Sequence, residues 1–138
     1  MNTQVFALDT GTLIKILRRK PDLKAFAKFT DAVFNNAEIV IPQFVHFEIL
    51  RGYSYTNAVA REIAYRKFLV KYSVGRFTDN TWEIAAKLYS DLRKGGWNLG
   101  DSDILIGAFC IEHNYTLVTT NIKHFTNMAN LSIVDWTQ

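Results

Sequence analysis

Near the amino terminus, Val5-Phe-Ala-Leu8 is apolar without alternation and runs straight into Asp9. A strand with one face in water alternates apolar and polar residues. A strand that does not alternate is buried on both faces, as inside a parallel sheet. Parallel strands need crossover connections, usually helices, so this short stretch already selects an α/β architecture. Thr10-Gly11-Thr12 turns the chain into a helix, with Thr10 or Thr12 as its candidate cap. Asp9 then ends a buried strand at its carboxyl edge, where open α/β sheets carry their ligands. A carboxylate there is costly to bury unless something pairs with it.

The rest of the chain repeats this alternation. Glu38-Ile-Val-Ile-Pro42 and Thr116-Leu-Val-Thr-Thr120 read as further buried strands, residues 72–78 as a weak strand suited to an edge, and residues 132–135 as a last strand. Helices are expected over residues 12–19, over a segment capped by Asp22, over 43–50 and over 57–72. The third of these should end at Arg51-Gly52-Tyr53. Another helix should be capped by Asp79 and stop at Gly95-Gly96, a strongly apolar one should span 101–113, and 121–130 reads as loop with a short helix. Such alternation implies right-handed βαβ units. With 138 residues, 49% of them hydrophobic and 21% charged, one globular domain over residues 1–138 is expected.

A formal net charge of +3 is compatible with an anionic partner and too mild to establish one. The single cysteine, Cys110, excludes an internal disulfide and a cysteine zinc site; in its apolar helix it reads as a small buried hydrophobe. No apolar run approaches the roughly 20 residues of a membrane span, and no signal peptide is visible, so the cytoplasm is the expected location.

Several polar residues stand out from this frame. Asp9 has an ordinary use as a helix cap. Glu48 lies in Phe44-Val-His-Phe-Glu-Ile-Leu50, a helix apolar at almost every other position, two turns from the end of the preceding strand. Asp101 and Asp103 open the apolar helix; Asp101 or Ser102 can cap it, and acids are favourable in a first turn. Asn121 follows Thr119-Thr120 at a strand end, where asparagine commonly makes turns. Taken together, the acids fall where strand ends and helix starts meet. Clustered carboxylates need protons or a cation to relieve their repulsion. Hard oxygen donors without cysteine or metal-spaced histidine favour Mg2+ or Mn2+, ions that polarise phosphate and activate water. Hydrolysis of a phosphodiester is the chemistry that follows. His46, His113 and His124 add little: there is no His-Glu-x-x-His motif, nor any Walker, dinucleotide or nucleophile-elbow signature.

Four motifs carry a resemblance over nearly the whole chain. Leu8-Asp-Thr-Gly-Thr-Leu-Ile14, Glu48-Ile-Leu-Arg-Gly52, Asp103-Ile-Leu-Ile-Gly-Ala108 and Leu117-Val-Thr-Thr-Asn-Ile-Lys-His-Phe125 occur in the order of the PIN-domain family. Within that family the chain resembles the VapC toxins of bacterial toxin–antitoxin pairs. The resemblance implies a three-layer α/β/α fold with a mainly parallel sheet in the order 3-2-1-4-5. It also implies an endoribonuclease dependent on Mg2+ or Mn2+, with Asp9, Glu48 and Asp103 holding the metal. Asn121 fills a position often occupied by aspartate, and Asp101 is the candidate to supply the missing charge. Either Glu48 or Asp101 would orient the attacking water. Gly11 replaces the commoner asparagine or serine, leaving hydroxyl help to Thr10 or Thr12. Thr10, Arg51, Thr119 and Lys123 are candidate substrate contacts, with Arg18, Arg19 and Lys20 as further phosphate ligands and Trp97 and Tyr53 as base-stacking candidates. A homodimer and a small VapB-like antitoxin that lays a helix across the site are the implied partners.

A haloacid-dehalogenase-type phosphatase would need a second acid where Gly11 stands, and a receiver domain would need an acidic pair that is absent. A degenerate PIN module that binds RNA or a protein without cleaving remains the alternative, sustained by Asn121.

Overall fold

The computed structural model describes residues 3–138. In chain order the elements are β1 (Val5–Leu8), α1 (Thr10–Leu17), α2 (Leu23–Phe34), β2 (Glu38–Pro42), α3 (Gln43–Thr56), α4 (Val59–Lys71), β3 (Ser73–Gly75), α5 (Asp79–Lys94), α6 (Asp101–His113), β4 (Thr116–Val118), α7 (Ile122–Phe125) and β5 (Ser132–Val134). The strands form one five-stranded sheet in the order β3-β2-β1-β4-β5. Every neighbouring pair is parallel. This is the expected PIN-like α/β arrangement, with helices flanking the sheet.

β1 lies at the centre because it is apolar on both faces: Ala7 and Leu8 are fully buried, as are Leu117 and Val118 on β4 and Ile41 on β2. Leu8 is in register with Val118. The strand order turns outward in opposite directions from β1 and β4, so a crevice opens beyond their carboxyl ends. The two residues after that register, Asp9 and Thr119, therefore sit side by side, and Asp9 N–H donates to the Val118 carbonyl at 3.0 Å.

Several boundaries differ from the sequence reading for identifiable reasons. Asp9 itself is the N-cap of α1, accepting from Thr10 N–H, so neither Thr10 nor Thr12 caps it. Thr12 instead donates its hydroxyl to the Val118 carbonyl at 3.2 Å. α3 runs through Arg51-Gly52-Tyr53 and ends only at Asn57, whose left-handed φ of 54° closes it. A single helical glycine costs about 1 kcal/mol, too little to stop a helix that packs Val45 and Ile49 into the core. Thr78, not Asp79, precedes α5, and its N–H is met by the Thr81 hydroxyl at 3.0 Å. Gly100 occupies the cap position of α6, so neither Asp101 nor Ser102 does. β4 stops at Val118, which frees Thr119 and Thr120 for the crevice.

α6 is the buried helix of the fold. Every residue from Ile104 to Cys110 is buried, and burial pushes the Cys110 thiol pKa well up, leaving an inert hydrophobe as expected. Gly107 makes room for Met128, while the close approach of this helix to the sheet is made by Gly75 on β3 beneath Phe109. α2 carries more apolar residues than it buries: Ala25 and Phe29 are inside, and Leu23, Phe26 and Phe34 are exposed.

Candidate active site

Asp9 is 6% exposed, and both of its carboxylate oxygens are held. Oδ1 accepts from Thr10 N–H at 2.8 Å. Oδ2 accepts from the Thr119 hydroxyl at 2.7 Å. The Thr119 oxygen in turn accepts from Asn121 N–H at 3.0 Å, which ties the end of β4 to the start of α7. These donors belong to backbone and to a fully buried side chain, so Asp9 is fixed by the fold itself.

Glu48 reaches the same crevice from α3. Its Oε1 accepts from the Thr10 hydroxyl at 2.8 Å. Its Oε2 faces Arg51 Nη2 at 3.3 Å, and the Arg51 guanidinium also lies over the Phe47 ring, 5.0 Å from its centre. Asp103 arrives from the first turn of α6, and its Oδ2 stands 2.9 Å from His124 Nδ1 on α7.

Burial pushes the Asp9 carboxyl pKa above its usual range. Hydrogen bonds from Thr119 and Thr10 pull it back, and the negative charges of Asp103 and Glu48 push it further up. The fold thus gathers three acids from distant parts of the sequence onto one crevice, at a cost in repulsion. A hard divalent cation suits this donor set, since it would supply the charge that Asp9, Glu48 and Asp103 lack. Among the described residues, no three acidic, histidine or cysteine side chains stand close enough, as placed, to enclose an ion.

The other sequence-predicted residues are distributed unevenly. Asn121 contributes its backbone N–H to the Thr119 oxygen and is itself exposed. Thr119 spends its hydroxyl on Asp9, and Thr10 spends its own on Glu48. Lys123 is exposed on α7. Asp101 is exposed on another side of α6, bordering a groove with Trp82, Tyr89, Ile104 and Leu105, and it is not among the charges acting on Asp9. Arg18, Arg19 and Lys20 follow the far end of α1, about 12 Å of helix away from Asp9. Tyr53 is half-buried against Tyr65. Trp97 borders a cavity of about 690 Å³ between α5 and the segment after α7, which none of the three acids lines. His124 is the residue that the sequence reading passed over. No local signal marks it, because its partner Asp103 lies on another helix.

The chain is similar along nearly its whole length to known proteins. The chain is 26% identical over 133 residues to ribonuclease VapC2 of Rickettsia felis, covering 96% of this chain and 98% of that protein. It is 29% identical over 124 residues to ribonuclease VapC19 of Mycobacterium tuberculosis, covering 90% and 94%. The crystal structure of VapBC2 from Rickettsia felis, bound to a DNA fragment from its promoter, contains a chain that superposes with a TM-score of 0.86 at 25% identity, covering 96% of this chain and 99% of that one. The family model of the PIN domain matches residues 6–131, from the central strand to the approach of the last one, and the chain belongs to the PIN-domain family.

Proposed function

We propose that this chain is a divalent-metal-dependent endoribonuclease and the toxin of a VapBC-type pair, with residues 1–138 as a single PIN domain. The observation that carries the reading is the gathering of Asp9, Glu48 and Asp103 at the ends of β1 and β4, with the Asp9 carboxyl raised by burial and by the other two charges. Full-length relatives named as VapC ribonucleases support the nuclease part.

Asp9, Glu48 and Asp103 would hold Mg2+ or Mn2+, with Asn121 as a neutral fourth neighbour. When bound, such an ion polarises the scissile phosphate and makes water a competent nucleophile at neutral pH. Thr10 N–H and the Thr119 hydroxyl keep the Asp9 carboxylate from turning away, which is positioning work done before substrate arrives. Thr10 also orients Glu48. Glu48 is the acid left to orient the attacking water, and the exposed position of Asp101 leaves it a minor part. Arg51 and Lys123 are the exposed cations on α3 and α7 available to RNA phosphates.

An antitoxin is the proposed protein partner, since the structural neighbours include proteins described as toxin–antitoxin complexes. α1 packs against both α2 and α4, and these helices expose Ile14, Leu23, Phe26 and Ile63, an apolar surface that a partner helix would cover. Exposed Trp82 and Tyr89 on α5 are the candidate face for a homodimer. The alternative, a module that binds RNA without cleaving it, draws on Asn121 in place of an acid. Sequencing RNA ends from cells expressing the wild type or Asp103→Asn separates the two readings. Discrete new ends with the wild type alone support the nuclease; identical end profiles contradict it.

A further inference from the structure

The three acids of the crevice are held in two different ways. Asp9 is bound by a backbone N–H and a buried hydroxyl, neither of which moves without unfolding the ends of β1 and β4. Glu48 keeps the half-buried Thr10 hydroxyl on Oε1, but its Oε2, like Asp103 Oδ2, is met by a side chain that is mostly in water. Arg51 is 57% exposed and His124 is 52% exposed, whereas the carboxylates they hold are 18% and 20% exposed. Each partner comes from a different element, α3 and α7, and each offers nitrogen donors to the oxygens that a cation would need.

We propose that Arg51 and His124 are internal stand-ins for the divalent cation: in the metal-free protein each holds one movable carboxylate of the site, and each gives it up when the ion binds. The inference rests on the reading of Asp9, Glu48 and Asp103 as cation ligands. Glu48 Oε2 faces Arg51 at 3.3 Å, and Asp103 Oδ2 faces His124 at 2.9 Å. The exchange is cheap in one direction. Exposed pairs of this kind are weak, because water and side-chain entropy offset most of the attraction. The Arg51 guanidinium already lies over the half-exposed ring of Phe47 while it faces Glu48, a contact that does not need the carboxylate. The fixed positive charge of Arg51 beside Glu48 offsets part of that acid's repulsion on Asp9.

Arg51 and His124 are therefore positioning residues that compete with the metal, and this separates the proposal from a purely structural role. A structural prop, once removed, loosens metal binding; a competitor, once removed, tightens it. The measurement is Mn2+ affinity by isothermal titration calorimetry on the purified full chain without RNA. His124→Ala and Arg51→Ala should each bind Mn2+ about two- to fivefold more tightly than the wild type, the range that an exposed pair can withhold. His124→Asn, which keeps an N–H donor near Asp103, should gain less. Adding His124→Ala to Asp103→Asn should bring no gain, because the carboxylate it acts through has lost its charge. Unchanged or weaker Mn2+ binding in both alanine variants overturns the proposal. If wild-type binding is still abolished by Asp9→Asn, the metal site survives and only the stand-in role falls. If wild type and Asp9→Asn bind Mn2+ equally, both readings fall.

Discussion

Thr119→Val tests how the crevice is built. The substitution keeps the shape of a fully buried side chain and removes one hydroxyl. That hydroxyl donates to Asp9 Oδ2 at 2.7 Å and accepts from Asn121 N–H at 3.0 Å. A hydrogen bond to an ionised group contributes about 1.5–3 kcal/mol, so the expected loss at neutral pH is about 2–3 kcal/mol. For a chain of this length that is roughly 6–12 °C in Tm. The loss should depend on pH in a definite sense. The folded-state pKa of Asp9 is already raised, so ionising this group makes folding less favourable as pH climbs from the unfolded value through the folded one. Thr119 opposes that rise, and removing it lifts the folded pKa further. The deficit of the variant should therefore be smallest in acid, near the 1 kcal/mol or so of a neutral hydrogen bond, and grow as pH rises through the Asp9 titration. Urea unfolding in chelator across that range, with an unchanged m-value, measures it. A deficit that is flat with pH, or below about 0.5 kcal/mol throughout, would refute the claim that this hydroxyl holds an ionised Asp9.

Three further expectations follow from the same structure. Asp103→Asn should abolish RNA cleavage and shrink the Tm gain given by added Mn2+, while Asp101→Asn, whose side chain stands outside the crevice, should change both far less; paired nuclease and thermal-shift assays compare them. Gly11→Ala should stabilise the protein by about 0.5–1 kcal/mol in urea unfolding, since a Cβ there meets only Thr120 Oγ1 at 3.7 Å and the position is helical. Glu112→Gln should cost about 1–2 kcal/mol near pH 7 in urea unfolding. Burial raises the Glu112 pKa, but hydrogen bonds from Thr81 and Asn80, the His113 charge and the Thr78 hydroxyl together bring it below its usual range, so this stabilisation is present above the unfolded pKa and the cost should fade as pH drops through the folded one.

What could be read from the sequence was whatever a local pattern encodes. Val5–Leu8 announced a central strand because nothing polar interrupts it, and Asp22 announced α2 because the cap and the helix are adjacent. The strand order came from the four-motif resemblance, since pairing between β1 and β4 spans more than a hundred residues and leaves no local trace. Arg51-Gly52 looked like a helix end and was not, because packing of Val45 and Ile49 outweighs one glycine. Asp101 and Asp103 could not be told apart for a geometric reason. Two helical positions apart, they point about 160° from one another, and a helix buried from Ile104 to Cys110 has no polar face from which to set its rotation. His124 was missed because its partner lies on another helix; only the fold brings it to Asp103.

The central claim is that Asp9, Glu48 and Asp103 act as one cation site for RNA hydrolysis. The most direct test is the cleavage rate of a defined single-stranded RNA as a function of Mg2+ concentration, for the wild type and Asp9→Asn, with excess chelator as the zero point. The wild type should show a saturable rise with Mg2+ and no cleavage in chelator, and Asp9→Asn should show no rise even at high Mg2+. Wild-type cleavage that persists in chelator, or an Asp9→Asn protein with the same Mg2+ response, would contradict it.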